Sequence, residues 1–552
     1  MNKVVSVYGI ADRNRFTYPG FVHDHNFSVC DGDRLLTYCH LERETRVKYD
    51  NQFGQHAERL LLDDATFDVS PETCFLYVNS FVGSGFLSER GRIRFDCLNR
   101  ETDLLKPVRG YGWIQNKDWE GFEVEAWSIS HEIAHAFSVV PFAGGLRENS
   151  LLISFDGGSS TGNFAAFHYK NGQLTQRESH WELSQLSKLF NDNGLSFGII
   201  QAAPGEHCSV PGKLMGYASW GSRDEQVSKW LKAHDFFRDA WGDREQFQKE
   251  ARANFNWQGT FGENKDPFLF TVAACMQDHF LKGILARIGS LAEQTGADYL
   301  YYAGGCALNI VANAELVSNG WFRDVFISPC CNDSGLSIGA SAYWAFLHDR
   351  VISVSSPYLN NLHCSETYSF SQEDIMNTAS ALLNGEVIGV CNGAAEAGPR
   401  ALGNRSILAL ADSKALADRV SMGIKEREWY RQIAPVMLEE NARIATGLNK
   451  MHPLSTYMLL DFKIREEHIP SLAGVVHANG TSRIQTIRSR QDNPFIFELL
   501  SYLDHYHHVK ALINTSFNGK GEPIVQTEDD ARGSAVRMKL NGLVVNGKFQ
   551  NL

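Results

Sequence analysis

The sequence predicts an α/β protein of more than one domain, and three observations carry that expectation. Apolar, strand-like runs end in glycine-rich turns, as in Leu151 to Phe155 before Asp156-Gly157-Gly158 and in Ala297 to Asn309 around Gly304-Gly305. A hairpin unit around Asp31-Gly32 has a counterpart around Asn171-Gly172, the two units lying about 130 residues apart. A polar, irregular stretch from Ile352 to Phe370 reads as a linker, beyond which a new α/β block runs from near Ser371 to Leu552. The paired hairpins fit a duplicated lobe with a cleft between the copies, or two unrelated hairpins.

Taken in order, Val4 to Ile10 alternates like a strand, and β-rich runs from His23 to Arg43 flank the Asp31-Gly32 turn. Glu225 to about Gly296 carries helical periodicity with many aromatics and reads as packing without visible chemistry. Ala297 to Asn309 reads as strand, glycine turn and helix; Asp324 to Pro329 is a further strand, and Asp333 opens another helix.

With 552 residues, 43% of them hydrophobic and 21% charged, the chain has material for several cores. A net charge of -12 argues against nucleic acid or an anionic membrane as partner, since both need a basic face. Eleven scattered cysteines without a Cys-x-x-Cys pair fit a reducing compartment better than a disulfide framework. No signal peptide or membrane-spanning run is visible, and the expectation is a soluble, cytoplasmic protein.

Ser130 to Phe137 contains His131-Glu132-x-x-His135, the spacing of zinc peptidases, in which two imidazoles on one helical face share a metal and the glutamate activates water. A metallopeptidase would need a third ligand downstream, yet the chain passes instead into the strand Leu151 to Phe155, with only the loop residue Glu148 nearby. The histidine pair together with carboxylates at strand ends favours a metal site over simple helix packing. Gly157, Gly158, Gly304 and Gly305 permit close approach of backbone N–H groups to phosphate, or merely tight turns. Asp333 follows a strand closely and suits a metal ligand or a helix N-cap. In the C-terminal block, Gly398 to Ser406 puts Arg400 and Arg405 on a Gly/Pro loop. Lys425, Arg427, Arg431, Arg483 and the run Asn514 to Pro523 with Lys520 follow. Guanidinium forks and lysine charges that converge suit a small, doubly charged phosphate; dispersed, they are solvated surface.

Together these segments resemble the carbamoyltransferase family that includes the tobramycin and nodulation-factor O-carbamoyltransferases. The motifs, in family order, are His23-Asp24 with Glu42 to Lys48, Ser130 to Ala136, Gly304 to Asn309, Asn332 to Gly335, Gly398 to Ser406 and Asn514 to Pro523. Ser130 to Ala136 resembles the family's His-His-x-Ala-His-Ala motif, with Glu132 in place of its second histidine.

The resemblance implies a duplicated actin/hexokinase-like (ASKHA) domain over residues 1–355, shared with tRNA threonylcarbamoyladenosine transferases, and a YrdC-like α/β domain over 356–552. Carbamoyl phosphate would be cleaved in the second domain, the carbamate would attack ATP to give carbamoyladenylate, and the first domain would pass the carbamoyl group to a hydroxyl. His131, His135, Asp156 and Asp333 would hold a divalent ion, Fe²⁺ before others, although mixed His/carboxylate ligands also suit Mn or Zn. Gly157, Gly158, Gly304, Gly305 and Asn309 would contact ATP. Arg400, Arg405, Lys425, Arg427, Arg483 and Asn514 would line the carbamoyl phosphate site. His23 would serve as neutral base near the acceptor hydroxyl, and Lys48 as a phosphate partner. The acceptor would be a small molecule such as an antibiotic sugar, and a homodimer is left open.

Overall fold

The computed structural model describes residues 3–10, 22–64, 67–80, 85–96, 103–116, 118–188, 200, 207–234, 244–262, 265–365 and 367–552. An eight-stranded sheet holds Val4–Tyr8 (β1), Asn26–Asp31 (β2), Arg34–His40 (β3), Cys74–Val78 (β4), Gly85–Leu87 (β5), Ile93–Asp96 (β6), Val108–Gln115 (β7) and Gly121–Ile129 (β8). Its order is β3-β2-β1-β4-β8-β7-β6-β5. A second sheet holds Ser150–Phe155 (β9), Phe164–Lys170 (β10), Gln173–His180 (β11), Tyr299–Ala303 (β12) and Asp324–Phe326 (β13), in the order β11-β10-β9-β12-β13.

The two sheets repeat one arrangement. In each, an antiparallel three-strand meander is extended by a fourth strand parallel to its first and a fifth parallel to the fourth. The hairpin units are therefore equivalent parts of two copies, and β7, β6 and β5 are an antiparallel addition to the first. Strand β1 alternates in sequence but is buried along its whole length, because β2 and β4 flank it and the helix Leu336–Leu347 covers it. Ser6 Oγ and Ser28 Oγ meet Ser341 Oγ of that helix at 2.6 and 3.1 Å, small polar groups that satisfy one another at a close contact.

Each copy delivers a helix to the other. The helix His131–Ser138 follows β8 yet packs on β9 and β12, whereas Leu336–Leu347 follows β13 yet packs on β1, β2 and β4. The two helices cross in direct contact, and Gly339 makes that possible: a Cβ there would lie 1.7 Å from Ala134 O.

The helical region begins with Val210–Ala218 and continues as Glu225–Ala233, Arg244–Phe255 and Pro267–Thr295; residues 235–243 of that run lie outside the described residues. A third sheet, with the order β19-β16-β20-β15-β14-β21-β22, comprises Ile388–Cys391 (β14), Arg405–Leu410 (β15), Ala434–Leu438 (β16), Gln485–Ile487 (β19), Leu512–Ser516 (β20), Gly542–Val545 (β21) and Lys548–Asn551 (β22). Phe462–Lys463 (β17) and Thr481–Ser482 (β18) form a separate pair.

The stretch read as a linker is tied down on both sides. Asn360 exchanges backbone hydrogen bonds with Ala395, and Asn361 Nδ2 donates to Leu36 O at 2.9 Å. The next helix, Gln372–Leu383, starts in a capping box between Ser371 and Asp374. Ten of the eleven cysteines fall within the described residues and all ten are free thiols. Among the described residues no helix is long and apolar enough to cross a membrane.

Candidate functional site

The crossed helices and the loops after β9 and β13 bring four predicted residues together. His131 Nε2 and His135 Nε2 are 3.0 Å apart on one helical face. His135 Nε2 lies 2.8 Å from Asp156 Oδ2 and 3.2 Å from Asp333 Oδ1, and His131 Nε2 lies 3.5 Å from the same Asp333 oxygen. One ligand atom from each of the four falls within 4.8 Å of all the others. Tyr8, from the centre of the first sheet, donates its hydroxyl to Asp333 Oδ2 at 2.9 Å, and Asn26 Nδ2 donates to Asp333 O.

The electrostatics call for a cation. Burial opposes charge on His135, yet its hydrogen bonds to Asp156 and Asp333 carry its pKa up to about 9. Asp333 stays far below the ordinary carboxylate range despite its burial, held there by His131 and His135. Two imidazoles and two carboxylates on one point fit a divalent ion of the Fe, Mn or Zn type, which would satisfy the same demand in place of a proton.

Glu132 does not belong to this cluster. Its Oε1 accepts from Thr161 N at 2.7 Å and Thr161 Oγ1 at 3.1 Å, so the carboxylate fastens the Gly/Ser/Thr turn after β9. Glu148 instead accepts from the backbone N–H groups of Asn171 and Gly172 in the hairpin turn. The peptidase arrangement, in which a glutamate faces metal-bound water, is absent.

His23 Nδ1 pairs with Asp24 Oδ2 at 3.0 Å; Asp24 also accepts from His40 Nε2 at 3.1 Å and Asn332 Nδ2 at 2.9 Å. Asn332 adjoins Asp333, so the histidine is tied to the four-residue cluster by two residues. The role expected of His23 needs the neutral imidazole. Burial disfavours the charge, but Cys208 and Asp24 outweigh it and hold His23 well above 6.5.

Gly157 is exposed beside Asp156, Gly158 is half-buried next to it, and Gly304 N donates to Cys331 O at 2.7 Å, joining two strand-end loops. Gly305 backs onto Asp156, its added Cβ lying 2.9 Å from Oδ1. Asn309 departs from expectation: its Oδ1 caps the helix Ile310–Ser318 at Ala312 N, and its amide is paired with Gln277. That side chain is committed to structure and not to a nucleotide.

In the C-terminal half, Arg400, Arg427, Arg431 and Arg483 converge. Arg483 is held far below the ordinary guanidinium range by burial first and then by the charges of Arg400, Arg427 and Arg431. Arg427 is lowered in the same way by burial and by Arg431 and Arg400. Lys425 joins them, lowered by burial, then Arg427, Arg431 and Lys48, so Lys48 reaches this cluster from the N-terminal half. Lys425 Nζ donates to Asn518 O at 2.6 Å and Oδ1 at 2.9 Å and to Ser516 O, and Arg427 Nη2 donates to Ser516 Oγ at 3.3 Å. Arg400 Nε and Arg483 Nε are buried without a partner, as is Asn514 Oδ1, whose Nδ2 is engaged by Ala401 O and Gln485. Mutually repelling arginines with buried, unsatisfied Nε donors suit an anion, whereas Lys425 Nζ has acceptors in Ser516 and Asn518. Lys520 is exposed.

Arg405 is a second correction. Its donors reach the carbonyls of Asn392, Gly393, Asn404 and Gln526 at 2.6–3.0 Å, with Cys364 Sγ at 3.3 Å. It pins β15 to its surroundings and has no fork left for a ligand. The signals that sequence reasoning missed are Tyr8, Asn26 and His40, ordinary residues of strands that acquire meaning only by their placement.

The two clusters are neighbours. The loop carrying Arg400 is seated on the loop before Asp333: Gly398 has φ +96°, and a Cβ there would lie 2.1 Å from Pro329 O. Arg43 Nη2 donates to Gly398 O at 3.0 Å from the other side. The Tyr49 ring lies 6.2 Å from that of His23, and its hydroxyl is among the groups acting on Arg400.

Fold and site thus define a protein with a metal-type His/Asp cluster in a duplicated lobe and a cluster of buried arginines beside it. The family model described as Carbamoyltransferase N-terminus matches residues 111–342, and that described as Carbamoyltransferase C-terminus matches 379–551. The chain belongs to the carbamoyltransferase family and is a transferase enzyme. It is similar to nodulation protein NolNO of Sinorhizobium fredii, 28% identical over 95% of this chain and 78% of that protein. It is also similar to nodulation protein U of Azorhizobium caulinodans, 36% identical over 44% of this chain and 42% of the other. Among solved structures, full-length HypF in its phosphate- and nucleotide-bound form is a distant likeness, with a TM-score of 0.23 and 13% identity over 34% of this chain and 23% of HypF.

Proposed function

We propose that the protein is an ATP- and metal-dependent O-carbamoyltransferase acting on a hydroxyl of a small natural-product or sugar acceptor. The single observation that supports this most is the adjacency of two unlike clusters, His131/His135/Asp156/Asp333 and Arg400/Lys425/Arg427/Arg483, across the seated Gly398 loop. On this reading residues 1–355 are an actin/hexokinase-like unit for ATP and acceptor, and 356–552 a YrdC-like unit for carbamoyl phosphate.

In the C-terminal unit the arginines, Lys425 and Lys48 bind the phosphate dianion, and one water molecule cleaves carbamoyl phosphate to carbamate and inorganic phosphate. A carbamate oxygen then attacks the α-phosphorus of ATP, giving carbamoyladenylate and pyrophosphate. The acceptor hydroxyl next attacks the carbamoyl carbon, AMP leaves, and His23 accepts the hydroxyl proton when it is itself deprotonated. Gly158 and Gly305 offer backbone N–H groups to the phosphates, and Gly157 and Gly304, whose N–H groups donate to Asp156 Oδ1 and Cys331 O, allow the close approach. His131, His135, Asp156 and Asp333 would hold a divalent ion, iron on this reading, which supplies charge stabilisation at the phosphates. The seated loop keeps water from the labile intermediates between the sites.

The test is pyrophosphate release by purified protein given carbamoyl phosphate, ATP and Fe²⁺, followed by a mass-spectrometric search of hydroxylated extracts for carbamoylated products. Pyrophosphate release that depends on carbamoyl phosphate is expected. Its absence, with and without extract, overturns the reading.

A further inference from the structure

Resting on the carbamoyl phosphate reading of the rear site, we infer that Lys213 is a positioning residue for that site. It holds one oxygen of the Glu428 carboxylate and so limits that group's hold on Arg427 and Arg431, the cations meant for the anion. Lys213 comes from the helix Val210–Ala218, which carries none of the motifs above, yet this helix is built against the arginine loop. The Tyr217 ring lies 5.2 Å from Tyr430 and 6.3 Å from Trp429, and Gln432 Nε2 donates to Ser219 Oγ just past the helix end. Lys213 is 4% exposed, and its Nζ is 2.6 Å from Glu428 Oε1. The other carboxylate oxygen makes a longer ion pair, 3.6 Å, with Arg431 Nη1, outside hydrogen-bond distance.

Glu428 lies between Arg427 and Arg431 in the chain and acts on both, so an ionised carboxylate stands among the cations of a site for anions. Such a group competes with the ligand for guanidinium forks unless something else satisfies it. Lys213 does that from outside the loop. Were its charge removed, a half-buried carboxylate would lose its partner, and Arg431 and Arg427 are the cations in reach to replace it. Each fork that turned to Glu428 would be withdrawn from the phosphate. A Lys213 that served packing alone would alter stability and leave anion affinity unmoved.

Calorimetric titration of the full-length protein with carbamoyl phosphate separates these cases. Lys213→Met should weaken binding about tenfold, Lys213→Arg should preserve it, and Lys213→Met combined with Glu428→Gln should restore it to within about twofold of wild type. If Lys213→Met fails to fold, Glu428→Gln alone decides: affinity at or above the wild-type level is expected, and a loss of about tenfold overturns the inference. A Lys213→Met protein that binds as wild type does, or a double variant as weak as the single one, overturns it while the carbamoyl phosphate reading stands. Wild-type protein that binds no carbamoyl phosphate overturns both.

Discussion

Asp24 occupies the left-handed region at φ +56°, a conformation that costs a non-glycine residue about 1–3 kcal/mol. Three hydrogen bonds, from His23, His40 and Asn332, hold its carboxylate in that position. The consequence for pH has two opposite signs. Because the pKa of His23 is raised, the stability contributed by the His23–Asp24 pair is fully present below about pH 6.5 and is lost as pH rises through the raised value. The transfer step needs the deprotonated imidazole, so its rate should climb over the same interval. Asp24→Asn should move the midpoint of the rate profile to lower pH while reducing the plateau, because the imidazole loses both its counter-charge and its anchor. A pH–rate profile of acceptor carbamoylation checks this, and an unmoved midpoint would remove His23 from the role of base. At this scale the full metal-type set with Asp156 and Asp333 came from the family resemblance, whereas the histidine pair was legible from its i, i+4 spacing. The arginines were not. Arg400 and Arg405 share one Gly/Pro loop, but a sequence does not reveal whether a guanidinium faces a cavity or four backbone carbonyls.

The strands, their glycine turns and the helix starts follow from period and punctuation, and most stand where the sequence predicts them. What periodicity left unread is the exchange of helices between the two copies. Leu336 to Ala345 is buried on every side, so the pattern names no face and no partner. The decisive residue, Gly339, looks like an ordinary weak spot in a helix. Its value lies in lacking a Cβ, which would stand 1.7 Å from Ala134 O, so the backbones of the two ligand-bearing segments can meet. Gly339→Ala should therefore push Leu336–Leu347 away from His131–Ser138, draw Asp333 off His135, and cost about 2 kcal/mol or more. Denaturant unfolding and titration with Fe²⁺ or Zn²⁺ measure both effects. A variant with wild-type stability and metal affinity would show that the helices do not need this contact.

Over the whole molecule, the boundary expected between residues 355 and 356 is not a gap in the packing. One apolar cluster runs from Leu151, Phe155 and Leu300 of the second sheet, through Tyr217 and Phe270 of the helical region, to Tyr430, Ile513 and Leu543 around the third. The polar strap around Asn360 adds hydrogen bonds to both sides, and Arg46 Nη1 and Nη2 reach Ile524 O and Pro523 O at 2.6 and 2.9 Å. A polar, irregular composition signals a loop, but it does not reveal that the loop is used as a clasp. Halves that share a core cannot expose it separately without each losing apolar burial. Scanning calorimetry of the full chain should accordingly show one cooperative transition, with calorimetric and van't Hoff enthalpies in agreement. Carbamoyl phosphate, though held by C-terminal arginines, should raise that single Tm as a whole. Two separated transitions, only one of them shifted by carbamoyl phosphate, would mean that the halves fold independently and that the contact between the two clusters is loose.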